Sequence, residues 1–333
     1  MKNTFRFLCL SVSILFIAAA GACSEKETNS PQTAPAEIPS HRPMPNVDSL
    51  VRTCPRILNV SSSSTVELAP GVNETDMSIT IKASQEGETG PFVQKIYIVA
   101  IDSQAEGLKI RTVAPENIQE TPSGSWPRQY LSQMAANIDS PSSRVISMIN
   151  ADFWASTDGI IAPVGVLHTE GIMLKTTFEP RYKKQGISWV GVNKANAMSI
   201  GPSSQYRVLP NITGAGIILM SGGKDLDNSK CNEKGRHPRT GIAYTSDQFI
   251  YFFVVDGRSS ESAGMTMDDM GAIFASLKCE AAVNLDGGGS SEILSRDPED
   301  KTLKIRNTPS DEARRRQVID AWCVVIDETI KEQ

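Results

Sequence analysis

The stretch that most constrains this chain runs from Ala282 to Ser291, where an apolar strand ends at Asp286 and three consecutive glycines follow. Glycine has no side chain to pack and weakens a sheet, so such a run is typical of places where another group approaches the backbone closely. Successive backbone N–H groups in a loop of this kind form a concave nest that binds anions. We therefore predict a binding site at this strand end, with a plain glycine-rich turn as the alternative.

A second apolar strand, Phe249–Val255, also ends at an acid, Asp256, and Arg258 follows two residues later. Binding groups commonly lie on loops at strand ends, where a rigid scaffold holds them. We therefore expect Asp256 and Asp286 to meet in one shared pocket. The structural alternative for both acids is turn capping, because aspartate side chains also bond to nearby backbone.

The first 22 residues predict a signal peptide, with Lys2 and Arg6 ahead of a short apolar core. That core is too short for a membrane-spanning helix. Residues 20–22 fit a cleavage site, and Cys23 follows at once, as in a bacterial lipobox. We predict lipidation of Cys23, with ordinary cleavage as the alternative. The protein is then exported and anchored to a membrane of the bacterial cell envelope through its N-terminal lipid.

Residues 23–55 are rich in Ser, Thr, Pro and Glu and show no apolar periodicity, so they predict a flexible tether behind the lipidated cysteine. The remaining chain, 56–333, is long enough for a large core and contains no second linker, which predicts a single domain. The formal net charge is −5, and loss of the signal peptide makes it more negative. Binding of nucleic acid by bulk charge is therefore excluded, and local arginines must meet any anionic ligand.

Apolar runs with β-branched residues dominate the chain and predict strands at 77–81, 94–101, 108–113, 145–149, 186–192, 216–220 and 249–255. Helices are predicted over 128–137 and 267–277, the second with Thr266 as its N-cap. We predict an α+β fold: one strand-rich domain with a mixed or antiparallel sheet core and a few flanking helices. After removal of Cys9 and lipidation of Cys23, four cysteines remain, and the sequence leaves any disulfide pairing open: Cys54, Cys231, Cys279 and Cys323.

Taken in order, these motifs resemble the phosphodiester glycosidase family over about residues 75–326. The matching elements are Asn150 with Phe153, Pro163-Val164-Gly165 with Gly171, Arg239-Thr240-Gly241, Asp256-Gly257-Arg258, Ser262 with Gly264 and Thr266, Asn284 to Ser291, and Asn307 to Ser310 with Arg316. Two positions depart from the family pattern: Asp152, where a small residue is common, and Lys278, where glycine is common.

The resemblance implies hydrolysis of the sugar–oxygen bond in a sugar-1-phosphodiester, such as an N-acetylglucosamine-1-phospho-sugar, with release of free sugar and a phosphomonoester. Because that phosphomonoester is a good leaving group, one essential carboxylate can be enough. Asp286 is the expected catalytic carboxylate at the anomeric carbon, as base or nucleophile. Asp256 is expected as its catalytic partner or as the residue that orients Arg258. The alternative function is a non-catalytic surface lipoprotein that binds anionic glycans.

Arg239 and Arg258 are the expected phosphate ligands, because a guanidinium group matches phosphate oxygens in a bidentate way. The remaining expected ligands of phosphate or sugar are Asn150, Thr266, Asn284, Gly287, Gly288, Gly289, Ser290 and Ser291. Structural alternatives stay open here: a salt bridge for Arg239, and loop bonds for Asn150 and the two serines.

The sequence predicts no cofactor. The three histidines show no metal-ligand spacing, although a divalent metal held by Asp256 and Asp286 remains an alternative. Asp152 and His168 are expected to be non-catalytic.

Overall fold

The computed structural model describes residues 41–116, 118, 124–179, 187–228, 234–311 and 315–327. The predicted signal peptide, Cys23 and Cys231 lie outside these ranges. The described part contains three α-helices: α1 (Val47–Arg52), α2 (Leu131–Ile138) and α3 (Met267–Ser276). A helix with the length and apolar character needed to span a membrane does not occur in the described ranges.

Strands make up most of the described chain. The first ten are β1 (Ile57–Ala69), β2 (Val72–Ile81), β3 (Phe92–Asp102), β4 (Leu108–Val113), β5 (Ser143–Asn150), β6 (Trp154–Thr157), β7 (Ile160–Pro163), β8 (Leu167–Thr169), β9 (Ile172–Lys175) and β10 (Ser188–Val192). The next ten are β11 (Met198–Pro202), β12 (Asn211–Ala215), β13 (Ile218–Ser221), β14 (Lys224–Asp225), β15 (Arg239–Thr245), β16 (Phe249–Val255), β17 (Cys279–Asn284), β18 (Ile293–Arg296), β19 (Leu303–Ile305) and β20 (Ala321–Asp327).

These strands form one eight-stranded sheet, two five-stranded sheets and one strand pair. The orders are β1-β2-β3-β16-β15-β17-β13-β14, β11-β10-β12-β8-β9, β19-β18-β5-β20-β4, and β6-β7. All strand pairings recorded in the described ranges are antiparallel. The predicted strand-rich α+β fold is confirmed, and of the two sheet types expected, the structure has the antiparallel one.

The register of β15 explains why two acid-bearing loops lie at the same end of the central strands. This strand pairs antiparallel with both β16 and β17, so its start lies beside the ends of its neighbours. Arg239 is opposite Val255, and Gly241 is opposite Asn284. Asp256 and Asp286 therefore follow strands that end on the same side of the sheet, as the sequence predicted.

The predicted tether, 23–55, is wrong for its described part, 41–55. Val47 and Val51 are buried one helical turn apart in α1, and Cys54 is buried directly after that helix. All three belong to the core cluster that also includes side chains of β2, β3 and α3. The composition of this segment is polar on average, so composition alone did not reveal the helix. Two valines at i and i+4 are enough to form one short apolar face.

The cysteines described in the structure, Cys54, Cys279 and Cys323, are buried and free. Burial raises the pKa of the Cys279 thiol well above its usual value. These side chains therefore act as small apolar core residues.

Near the acid-bearing loops, the backbone at Gly165 passes very close to the backbone at Gly214 of β12. A Cβ added at Gly214 would lie 2.4 Å from Asp152 Oδ2 and 2.5 Å from Gly165 Cα. We expect Gly214→Ala to destabilise the protein by about 1–3 kcal/mol, because crowding a packed region shifts neighbouring backbone. Denaturant unfolding measures this change. The control is Gly124→Ala, whose Cβ would meet nothing within 4 Å; equal stability of the two variants would contradict the crossing.

Candidate active site

Asp286 follows β17 in a loop whose backbone is held from both sides. Its N–H donates to Ala151 O at 2.8 Å, and its carbonyl accepts a hydrogen bond from Asn150 Nδ2 at 2.6 Å. The fully buried Asn150 also accepts from Thr240 Oγ1 at 2.8 Å and from the Glu292 N–H at 3.2 Å. The Asn150 side chain therefore holds the loop, and its expected role as a substrate ligand stays a prediction.

The predicted nest of three successive N–H groups is corrected in part. Gly288, at φ +62°, donates its N–H to Pro238 O at 2.8 Å, so this donor is already used. The predicted close approach to the glycines is confirmed. A Cβ at Gly287 would lie 2.9 Å from Pro238 O, and a Cβ at Gly288 would lie 3.0 Å from Arg258 Nη2. Only glycine fits at these two positions without displacing a neighbour.

The third glycine, Gly289, lies directly against the carboxylate of Asp311. A Cβ at Gly289 would lie 2.3 Å from Asp311 Oδ1, so the Asp311 side chain packs directly against the loop. Asp311 pairs with Arg316, whose Nε and Nη2 lie 3.0 and 2.9 Å from Oδ2. Beside it, Arg258 donates to Ser310 Oγ at 3.3 Å. The loop therefore accommodates an anion next to two guanidinium groups. The sequence analysis missed Asp311, although it follows directly on a recognised motif element.

Three buried polar atoms on the same loop lack a hydrogen-bond partner within the described residues: Asn284 Oδ1, Ser290 Oγ and Ser291 Oγ. Buried polar groups are nearly always bonded, and exceptions need an explanation such as an absent water or ligand. The three residues are close to Asp286 in sequence, and their roles as ligands of phosphate or sugar stay predictions.

Asp256 is saturated by its own surroundings. Its carboxylate accepts from Asn307 Nδ2 at 3.0 Å, from the Thr308 N–H at 3.0 Å and from Tyr97 Oη at 3.4 Å. Burial raises the pKa of Asp256, and these hydrogen bonds oppose the rise. Asp256 thus anchors the segment that ends at Asp311. Asn307 also donates to Ser291 O at 3.0 Å, so this anchor contacts the loop of Asp286, and the pocket shared by Asp256 and Asp286 stays a prediction.

Two further expected ligands have structural partners. Arg239 is buried and donates from Nε to Met265 O and from Nη2 to Gly235 O, both at 3.1 Å. Thr266 is the N-cap of α3, as predicted, and its hydroxyl accepts from the Asp269 N–H at 3.1 Å. These bonds give both side chains structural partners, and the expected phosphate-binding role of Arg239 and ligand role of Thr266 stay predictions.

The carboxyl neighbours of Asp286 are Asp152 and Asp320. Asp152 accepts from the N–H groups of Phe153 at 2.8 Å and Gly165 at 2.6 Å, and donates its own N–H to Asp320 Oδ1 at 2.7 Å. Both side chains are buried, with exposed fractions of 2% and 0%. The sequence analysis set Asp152 aside and gave no signal for Asp320, because only the pairing of β5 with β20 brings them together.

Burial shifts the titration of both groups. It raises the pKa of Asp152 from 3.8 to about 7, with Asp286 adding to the rise and the charge of Lys175 opposing it. Burial also raises the pKa of Asp320 well above its usual value, and the charges of Asp152 and Asp286 contribute further. The site therefore contains carboxyl groups that hold protons near neutral pH.

His168 is fully buried, with ring nitrogens 3.0 Å from Leu209 O and 2.9 Å from Tyr206 Oη. Both ring nitrogens therefore have partners inside the fold. Across the described ranges, no group of three or more His, Cys, Asp or Glu side chains is arranged to hold a metal ion.

Comparison with known proteins identifies the family. The family model described as phosphodiester glycosidase matches residues 143–325, more than half of the chain. The chain belongs to the phosphodiester glycosidase family. The resemblance drawn from the sequence motifs is thereby confirmed, and the whole loop from Asn284 to Ser291 lies inside the matched range.

Two solved structures share the fold of this phosphodiester glycosidase family member. The zebrafish N-acetylglucosamine-1-phosphodiester alpha-N-acetylglucosaminidase catalytic domain, auto-inhibited by its pro-peptide, is 13% identical at a TM-score of 0.57, over 79% of this chain and 87% of that one. A Burkholderia pseudomallei protein is 12% identical at a TM-score of 0.58, over 85% and 99%. At these identities the likeness shows the fold alone.

A curated relative is the SPbeta prophage-derived uncharacterized protein YomE of Bacillus subtilis. It is 47% identical over 57 residues, which is 17% of this chain and only 9% of that relative.

The raised pKa of Asp152 predicts a pH-dependent stability. A carboxyl group that binds its proton more tightly when folded contributes stability that is complete below pH 4 and is lost as pH rises through about 7. The shift from 3.8 to about 7 corresponds to about 4 kcal/mol. We expect the free energy of unfolding of Asp152→Asn to fall less over this interval than that of the wild type. Denaturant unfolding at several pH values measures both, with the exposed Glu106→Gln as control; parallel wild-type and Asp152→Asn curves would contradict the prediction.

Proposed function

We propose that this chain is an enzyme that hydrolyses the bond between the anomeric carbon and oxygen of sugar-1-phosphodiesters. Water supplies a hydroxyl to the anomeric carbon, and the phosphomonoester leaves. Membership of the phosphodiester glycosidase family supports this reaction class. N-acetylglucosamine-1-phospho-sugars are the proposed example substrates. The observation that carries the proposal is the glycine loop beside Asp286. There the Asp311 carboxylate packs against Gly289, next to Arg316 and Arg258.

The proposed phosphate position is the one that the Asp311 carboxylate takes against Gly289. A bound phosphodiester replaces this carboxylate and pairs with Arg316 and Arg258, because guanidinium groups match phosphate oxygens in geometry and charge. Arg316 thereby takes the part that the sequence analysis gave to Arg239, whose guanidinium donates to backbone carbonyls.

The partnerless buried oxygens of Asn284, Ser290 and Ser291 complete the proposed substrate site. Asn284 Oδ1 is an acceptor and suits a sugar hydroxyl, whereas the serine hydroxyls can donate to phosphate or accept from the sugar. A bound substrate would give all three buried oxygens a hydrogen-bond partner. The free energy gained by satisfying these buried groups would contribute to substrate affinity.

Asp286 is the proposed catalytic carboxylate. It is partly buried, and its backbone is fixed by Asn150 and Ala151, so its side chain is held beside the phosphate position. It acts as general base or nucleophile at the anomeric carbon. A phosphomonoester leaving group needs little protonation, so the reaction does not depend on Asp256 as a second acid.

The proposal is tested by supplying the purified protein with sugar-1-phosphodiesters and following the release of free sugar. We expect Asp286→Asn to lower kcat/KM by about a hundredfold or more with little change in thermal unfolding. Asp256→Asn is the matched control, for which we expect a stability loss of about 1–3 kcal/mol, because a donor amide replaces an acceptor of buried N–H groups.

A larger kcat/KM loss in Asp256→Asn than in Asp286→Asn, with both variants folded, would contradict the assignment. Diester binding without sugar release by the wild type would favour the alternative, a surface lipoprotein that binds anionic glycans.

We also propose that the protein is an exported lipoprotein anchored through Cys23, on the basis of the cysteine that follows the cleavage-site pattern. Metabolic labelling with a fatty acid is expected to mark the wild type, and Cys23→Ala is expected to abolish the label. An unlabelled wild type would leave ordinary signal-peptide cleavage in its place.

A further inference from the structure

Three carboxyl-bearing residues meet where the ends of β5 and β17 approach the start of β20. Backbone bonds connect them directly. The Asp286 N–H donates to Ala151 O at 2.8 Å, and the Ala151 N–H donates to Asp320 O at 3.2 Å. The N–H of the next residue, Asp152, donates to Asp320 Oδ1 at 2.7 Å. Asp152 and Asp320 thus have a fixed position behind the proposed catalytic Asp286.

Charged groups of both signs act on Asp152. The cation whose charge acts on Asp152 is Lys175, at the end of β9, and its Nζ donates to Gly165 O at 3.0 Å and Thr177 O at 2.6 Å. Glu179 in turn acts on Lys175. The other charged groups that act on Asp152 and Asp320 are the carboxyls themselves. Like charges at short range oppose each other in a buried site, so the charge of Asp286 adds to the effect of burial and disfavours ionisation of Asp152 and Asp320.

The contacts indicate which carboxyl keeps its proton. Asp320 is fully buried, and its Oδ2 has no hydrogen-bond partner in the described part of the chain. Burial of an ionised carboxylate with one oxygen unbonded is strongly unfavourable, so these contacts favour the neutral form of Asp320. Asp152 has two N–H donors that favour its ionised form, but it is almost as deeply buried. Asp286, the partly buried member, is left to carry the charge.

A second observation shows that this cluster belongs to a ligand site. Asn284 Oδ1, Ser290 Oγ and Ser291 Oγ are at least nine-tenths buried and lack partners among the described residues; they belong to the last residue of β17 and to the loop of Asp286. A purely structural acid cluster does not explain these three atoms.

We propose that Asp152 and Asp320 are positioning residues that hold protons behind Asp286, so that Asp286 carries the negative charge of the three at neutral pH. The proposal rests on the function proposed above and explains what the departure at Asp152 does in this chain. When Asp152 loses its proton at higher pH, a second negative charge appears beside Asp286. That charge opposes the approach of an anionic phosphodiester, so it raises KM more than it lowers kcat.

The first test is the pH profile of sugar release. We expect kcat/KM of the wild type to fall about tenfold or more between about pH 6 and pH 9, mainly through KM. Asp152→Asn is expected to lose this decline, because its side chain stays neutral. Asp320→Asn, which replaces a neutral carboxyl by a neutral amide that still accepts the Asp152 N–H, is expected to keep it. Persistence of the decline in Asp152→Asn would overturn the proposed role.

The second test needs no substrate, so it separates this proposal from the proposed function. Side-chain ¹³C resonances of aspartate-labelled protein are followed against pH in the wild type and assigned with Asp152→Asn and Asp320→Asn. We expect the Asp152 carboxyl to titrate near pH 7 and the Asp320 carboxyl to remain protonated at that pH. Titration of both groups below about pH 5 would overturn the proposal even if sugar release were observed. The expected titrations without sugar release would leave the proton-holding pair in place and remove the proposed reaction. Burial also raises the pKa of Asp76 to about 6, so wild-type and Asp76→Asn spectra together show whether another aspartate titrates near pH 7, even where Asp152→Asn fails to fold.

Discussion

The side chain of Asn150 is the contact on which the candidate site depends. From the end of β5 it bonds to the Asp286 carbonyl, to the Thr240 hydroxyl of β15 and to the Glu292 N–H ahead of β18. One fully buried amide therefore ties a five-stranded sheet to the edge of the eight-stranded sheet. Because an amide has both donors and an acceptor, it can satisfy a carbonyl and two N–H or O–H groups together, which neither aspartate nor leucine can do. Loss of this group would remove three of the hydrogen bonds that connect the Asp286 loop and the two sheets.

The second constraint is the close approach of neighbouring groups to the loop backbone, which glycine permits because it has no side chain. The three glycines after Asp286 are each in contact with a different neighbour: the Pro238 carbonyl, the Arg258 guanidinium and the Asp311 carboxylate. Proximity of charged groups to backbone creates a position where an anion fits without a dedicated side-chain cavity. The same spacing leaves Asn284, Ser290 and Ser291 buried beside the loop with oxygens available to a ligand. Packing and the proposed chemistry are therefore consequences of one short stretch.

Several polar residues near this edge serve the framework instead. Asp256, Arg239 and Thr266 are the same residue types that bind sugars and phosphates elsewhere, and they lie at strand and helix ends as binding residues do. Their side chains nevertheless satisfy the Thr308 N–H, the Met265 carbonyl and the Asp269 N–H. A buried loop brings unpaired backbone groups with it, and nearby polar side chains are the partners that remove this penalty. Sequence position alone cannot separate these two uses.

The sequence by itself determined the strands of the long apolar runs, the α+β class, the N-cap of α3, the common strand end of Asp256 and Asp286, and the family. These follow from local periodicity, capping chemistry and ordered motifs, which are properties of neighbouring residues. Only the tertiary structure decided which polar groups stay unpaired. It placed Asp152 beside Asp320, which is 168 positions away along the chain, and set Asp311 against Gly289. It also turned 41–55 from an expected tether into core. Hydrogen-bond satisfaction and the ionisation of a buried carboxyl depend on every group within a few ångströms, and folding, not sequence distance, selects those groups.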